Sequence, residues 1–139
     1  MARLKAPLPL EQQEAKAFYE WCGLQQYRGI KLAQAIVMIP NGAHLAGTPA
    51  QRARQMMKLK AMGFRVGAHD YFLPIPRPPY YGMWLELKRR DQAHASAAQE
   101  EFHHLVRHLG YFSILARGWE DAAKQVSLYL GFDAEIAAA

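Results

Sequence analysis

The chain has 139 residues, 51% of them hydrophobic and 21% charged, which suits one globular domain over residues 1–139 and excludes an intrinsically disordered chain. Lys and Arg number 17 against 12 for Asp and Glu, and the net charge of +5 favours a polyanionic partner such as nucleic acid. A lone cysteine, Cys22, excludes an internal disulfide framework. With no apolar run near the roughly 18 residues of a spanning helix and no signal-peptide stretch, the expectation is a soluble, intracellular protein without a membrane partner.

Pro7 and Pro9 punctuate the start, and Ala17, Phe18, Trp21, Cys22 and Leu24 then recur at helical spacing, so residues 10–26 are predicted to form an amphipathic helix. Glu14 lies four residues before Phe18 and seven before Trp21 and therefore faces the apolar side, where a carboxylate needs a reason. Residues 35–39 read as a buried strand closed by a Pro40-Asn41-Gly42 turn. Thr48, Pro49 and Gln51 supply an N-cap, a first-turn proline and a capping-box partner for a helix over 49–62, stopped by Gly63.

Two strands follow, one around Asp70 to Leu73 and one over 82–88, joined by the proline-rich segment 74–79. In the second, Met83, Leu85 and Leu87 alternate with Trp84, Glu86 and Lys88, which places the two sets on opposite faces. Ser96 with Gln99 makes another capping box, opening a helix whose apolar stripe is Phe102, Leu105, Val106 and Leu109. A strand over 111–115 and a helix over 119–130, ended by Gly131, complete a small mixed α/β domain.

Chemistry concentrates at Asp70, Glu86 and Lys88. Residues two apart on a strand share a face, and an adjacent strand can bring Asp70 to Glu86, so two carboxylates and one cation can converge. Mg²⁺ suits such a pair and keeps its other positions for water and a phosphate oxygen, while the lysine can act on the attacking water or on developing phosphate charge. The plainer alternative is a solvated strand face and a turn aspartate.

The longer pattern runs Ile39-Pro40-Asn41-Gly42, Lys60 and Gly63, Gly67-x-x-Asp70-x-Phe72-Leu73, Leu85-Glu86-Leu87-Lys88, Ser96-x-x-Gln99 and Leu109-Gly110-Tyr111. In this order and spacing the sequence resembles the VRR-NUC family, a branch of the PD-(D/E)xK nucleases, from about residue 8 to residue 131. The resemblance implies a restriction-endonuclease-like αβββαβ core with a four-stranded mixed sheet flanked by helices, the helix over 49–62 being an insertion. It implies Asp70 and Glu86 as ligands of Mg²⁺ or Mn²⁺, Lys88 as the catalytic lysine, Gln99 as an active-site residue, and Glu14 as a further catalytic and metal-binding acid, with Glu11 as the other choice. Implied also are an endonuclease acting on DNA, branched forms such as four-way junctions included, and a homodimer of the kind found in free-standing phage-encoded versions, working in the host cytoplasm. A module of the same fold that binds DNA without cutting it is the rival. Ala68-His69 stands where the family has a hydrophobic residue and a proline, and Ala43 where it has a second glycine.

Arg89 and Arg90, directly after the strand of Glu86, are expected to contact DNA, as are Arg52 and Lys60 on the inserted helix, together with Arg54 and Lys58 beside them. Tyr80, Tyr81 and Trp84 are available for base stacking or for packing, and the run around Tyr80, Tyr81 and Met83 for a dimer contact. His103, His104 and His108 carry zinc-compatible spacing but lack an accompanying cysteine or a glutamate-containing zinc motif, so a basic surface is the alternative.

Overall fold

The computed structural model describes residues 7–40, 45–92 and 94–132. Asn41, Gly42 and Ala43, and with them the expected turn, lie outside the described residues. The elements in chain order are α1 (Glu11–Leu24), β1 (Gln26–Tyr27), β2 (Ile30–Lys31), α2 (Leu32–Ala35), β3 (Val37–Met38), α3 (Pro49–Ala61), β4 (Tyr71–Leu73), β5 (Met83–Lys88), α4 (Ala97–His108), β6 (Phe112–Arg117) and α5 (Trp119–Leu130).

A mixed sheet runs β3-β4-β5-β6, antiparallel except for the β5–β6 pair. Parallel neighbours need a crossover, and α4 supplies it. One face of the sheet packs on α1 and α5, with Phe18, Tyr71, Leu73, Met83, Leu85, Leu87, Ala116 and Val126 in one core cluster. Phe18 has no exposed surface and meets Tyr71 edge-on at 5.1 Å; a side chain of this size contributes roughly 1.5–3 kcal/mol when fully buried. Cys22 is enclosed in the same core, and burial pushes its thiol up to about 12, so it packs as a small hydrophobe. The other face carries α4, whose Phe102 and Val106 pack with Ala68 and against Trp84.

The expected buried strand over 35–39 is instead a two-residue edge strand with Val37 and Met38 exposed. Leu32–Ala35 forms a short helix that absorbs the start of the apolar run, and among the described residues β3 has a neighbour on one side only. The hairpin of β1 and β2, which the sequence does not announce, turns through Arg28 and Gly29, both at positive φ, as a primed two-residue turn requires. Both capping boxes form, at Thr48 with Gln51 and at Ser96 with Gln99. None of the residues of α3 is buried, so this helix stands outside both packed layers.

Candidate active site

Extending the β4–β5 register one pair beyond Tyr71↔Leu85 sets Asp70 opposite Glu86. Asp70 accepts a hydrogen bond from the Leu87 backbone N–H through Oδ2 at 2.9 Å, which ties it to β5 where the strand ladder has ended. Its approach is fixed upstream by Gly67, at φ +86° against the first turn of α4. A Cβ there would run into the Ala98 backbone carbonyl, so no other residue fits this crossing.

Glu86 is only 2% exposed. Its Oε1 accepts from Gln99 Nε2 at 2.6 Å and lies 3.5 Å from Lys88 Nζ; its Oε2 is buried without a hydrogen-bond partner and faces His69 Nδ1 at 3.8 Å. Burial, and then the charge of Asp70, push the Glu86 carboxyl up to about 8 against the pull of Lys88, with a further upward push from Glu11. One ammonium thus does not offset both the burial of this carboxyl and the charge of its neighbour. An orphaned buried oxygen on an under-neutralised carboxylate, with a second acid beside it, suits a hard divalent cation. Among the described residues no group of three or more His, Cys, Asp or Glu side chains makes a metal cage by itself, so an ion here would draw remaining ligands from water and substrate.

Gln99 fills both roles open to its position. Its Oε1 accepts from the Ser96 N–H at 2.9 Å in the capping box while its amide holds Glu86. The α4 N-terminus therefore orients the carboxylate.

Glu14 faces inward as expected, but its carboxylate has other work. Oε1 accepts from Arg90 Nε at 3.0 Å, and Oε2 accepts from the N–H of Trp119, the first residue of α5, at 2.7 Å. The N-cap of that helix is Gly118 at φ 82°, with no side chain to cap it, so Glu14 caps it from a different helix. Glu11, one turn earlier and exposed, is the α1 acid whose charge acts on Glu86.

The basic residues separate in the same way. Arg90 is clasped by Glu14 and by Glu120 at 3.3 Å, which holds its guanidinium against the fold, whereas Arg89 lies 3.6 Å from Asp91. Arg52 and Lys60 are exposed on α3. Trp84 stacks on Phe72 with ring centroids 4.5 Å apart and packs against Phe102, so it is not presented for base stacking. Met83, expected near a dimer contact, is in the core at 1% exposure, whereas Tyr80 and Tyr81 are exposed.

Among the histidines, His103 turns its Nδ1 to Ser113 Oγ at 2.7 Å, and the same hydroxyl lies 2.9 Å from Nε2 of the buried His69. Burial, then His103 and Lys88, push His69 down to about 4 and keep it neutral near pH 7. In the sequence His69 stands out only as a departure from a pattern, and Ser113 gives no signal, being one small polar residue in an apolar strand. His69 borders a cleft of about 350 Å³ that is also lined by His94, Gln99, His103, Leu115 and Arg117.

No family model matches this sequence, and no curated protein does. Among solved structures, one described as a VRR_NUC domain protein superposes with a TM-score of 0.76 at 22% identity, covering 90% of this chain and 91% of that one. The α/β core with its four-stranded mixed sheet flanked by helices is thus the fold of a VRR_NUC domain protein.

Proposed function

We propose that this chain is a metal-dependent endonuclease that hydrolyses DNA phosphodiester bonds, with Asp70, Glu86 and Lys88 at its centre. The observation that carries this reading is the convergence of Asp70 and the buried, under-neutralised Glu86 beside Lys88 at one end of the two central strands. Asp70 and Glu86 would hold Mg²⁺ or Mn²⁺, and Glu11 rather than Glu14 would add its charge from α1. When bound, the ion supplies a Lewis acid for a phosphate oxygen and eases ionisation of water. Lys88 places a proton donor and a positive charge next to the same carboxylate, where it can orient the attacking water and offset charge on the phosphate. Gln99 keeps Glu86 in one orientation, and the α4 capping box keeps Gln99 in place.

DNA is the substrate class that the charge pattern supports. No Asp or Glu occurs between Glu20 and Asp70, a stretch that carries Arg28, Lys31, Arg52, Arg54, Lys58, Lys60 and Arg65. The projecting α3 presents Arg52 and Lys60 as phosphate contacts, and Arg89 extends the active-site strand. Arg90 belongs to this surface only through its rim, since two carboxylates already engage it.

Nicking of supercoiled DNA is expected with Mg²⁺ or Mn²⁺ and not with Ca²⁺, whose larger, looser shell misaligns water and phosphate. Glu86→Ala is expected to abolish it. Equal nicking by that variant, or in a chelator, refutes the assignment of this site, whereas DNA binding without nicking by the unaltered protein leaves a DNA-binding module. The finer reading is a two-fold homodimer cutting four-way junctions, because one active site per small chain must be doubled to cut symmetry-related strands. A dimeric mass in light scattering at micromolar concentration, with junctions cut faster than matched duplex, is the expected result. A monomer without junction preference eliminates it.

A further inference from the structure

We propose that His69 is itself a ligand of the ion held by Glu86, through Nδ1, and that it shifts the site's preference from Mg²⁺ toward Mn²⁺. The inference rests on the metal-dependent reading above and deepens it.

Of the four buried side-chain atoms without a hydrogen-bond partner among the described residues, two, His69 Nδ1 and Glu86 Oε2, face each other at 3.8 Å. That separation is too long for a direct hydrogen bond. It is within reach of two donors of one ion: adjacent ligands about 2.1 Å from a common octahedral cation lie about 3.0 Å apart, so the pair would close by about 0.8 Å to share one. The other oxygen of Glu86 is already taken by Gln99 and Lys88, so the orphaned one is the oxygen turned toward the ring.

The far side of the imidazole is arranged as a metal-bound histidine requires, with its second nitrogen hydrogen-bonded to a protein group. Nε2 lies 2.9 Å from Ser113 Oγ, which in turn lies 2.7 Å from His103 Nδ1. A serine hydroxyl has one proton to give. When it goes to His103, Ser113 accepts the Nε2 proton of His69, and Nδ1 is left with its lone pair aimed at Glu86. The ring is also held in place, edge-on to Phe102 at 5.0 Å and stacked on His103 at 5.9 Å.

The consequence is a donor set with one nitrogen. Mg²⁺ prefers oxygen and keeps its waters, whereas imidazole nitrogen is a better ligand for transition ions, so His69 favours Mn²⁺. The serine and second histidine then have a function that neither has in packing alone.

Pulsed EPR on Mn²⁺ bound to the full chain tests this directly. Modulation from a coordinated ¹⁴N is expected in the unaltered protein and in Ser113→Ala, and is expected to vanish in His69→Ala. Calorimetry is expected to give about tenfold weaker Mn²⁺ binding for His69→Ala, with Mg²⁺ binding changed less than about twofold. Bound Mn²⁺ without nitrogen modulation in the unaltered protein overturns the proposal while leaving the metal site standing. Modulation that persists in His69→Ala overturns it by assigning the nitrogen elsewhere. No Mn²⁺ binding at all, equal to Glu86→Ala, overturns both readings.

Discussion

Lys88→Ala is expected to slow DNA cleavage by roughly a thousandfold, the scale of removing one preorganised charge from a reacting centre, while DNA affinity stays within about threefold. The two effects part because they draw on different populations of charge. In the proposed reading phosphate binding is shared among Arg52, Lys60 and the other basic residues of the acid-free stretch, together with Arg89, so losing one cation costs one contact at most. The reacting centre proposed above, by contrast, relies on a single ammonium. Lys88 is the ammonium 3.5 Å from Glu86, its side chain only 14% exposed, and its charge is one of the influences holding the Glu86 carboxyl down.

Removing it therefore acts twice, on the reacting groups and on the readiness of Glu86 to bind an ion. Single-turnover rates measured beside Mn²⁺ titrations separate the two: weaker ion binding that saturating metal repairs is the second effect, and the residual slow rate is the first. Lys88→Arg keeps the charge but replaces a compact ammonium with a planar fork in a largely buried position, and an intermediate rate is expected. Should affinity fall as steeply as rate, Lys88 is a binding residue and the mechanism proposed above is wrong.

The pairing of Glu86 with Lys88 is legible in the sequence because a strand has a period of two. Alternation over residues 83–88 is enough to put Glu86 and Lys88 on one face, and the buried run Met83, Leu85, Leu87 agrees. Capping boxes are local in the same sense, and those at Thr48 and Ser96 form as their residues predict. Features that depend on partners distant in sequence are not legible in this way. The run 35–39 has the apolar composition of a core strand, yet burial is decided by neighbours, and β3 is an edge. Arg28-Gly29 makes a hairpin without the Asn-Gly or Asp-Gly signature that announces one. The triplet His69, Ser113 and His103 joins three separate segments, and no spacing rule links residues 44 apart. Glu14 is the sharpest case: helical periodicity shows correctly that it faces inward, but what it meets there comes from residues 90 and 119.

That difference between facing inward and facing the reacting centre yields the second large expectation, in which the two acids of α1 behave oppositely. Glu14→Ala is expected to lower Tm by roughly 5–10 °C for a chain of this size, with ion binding per folded molecule unchanged. The α5 end alone accounts for this: the variant leaves the Trp119 N–H without its acceptor and a helix whose N-cap is glycine without any cap, a loss of about 2 kcal/mol. Arg90 is released at the same time, since Glu14 is its buried partner, and Gly118 no longer has a carboxylate oxygen beside it. Glu14→Gln should recover part of the Tm, because its amide oxygen can still accept from Trp119, though it cannot offset the guanidinium. Glu11→Ala should leave Tm within about 1 °C, as an exposed first-turn acid contributes little, while weakening Mn²⁺ binding and cleavage, because Glu11 is the α1 carboxylate that acts on Glu86. Thermal melts and Mn²⁺ titrations on the three variants decide between them. If Glu14→Ala melts like the unaltered protein and fails to bind the ion, Glu14 is the first-helix ligand after all and its pairing with Arg90 and Trp119 gives way when metal arrives.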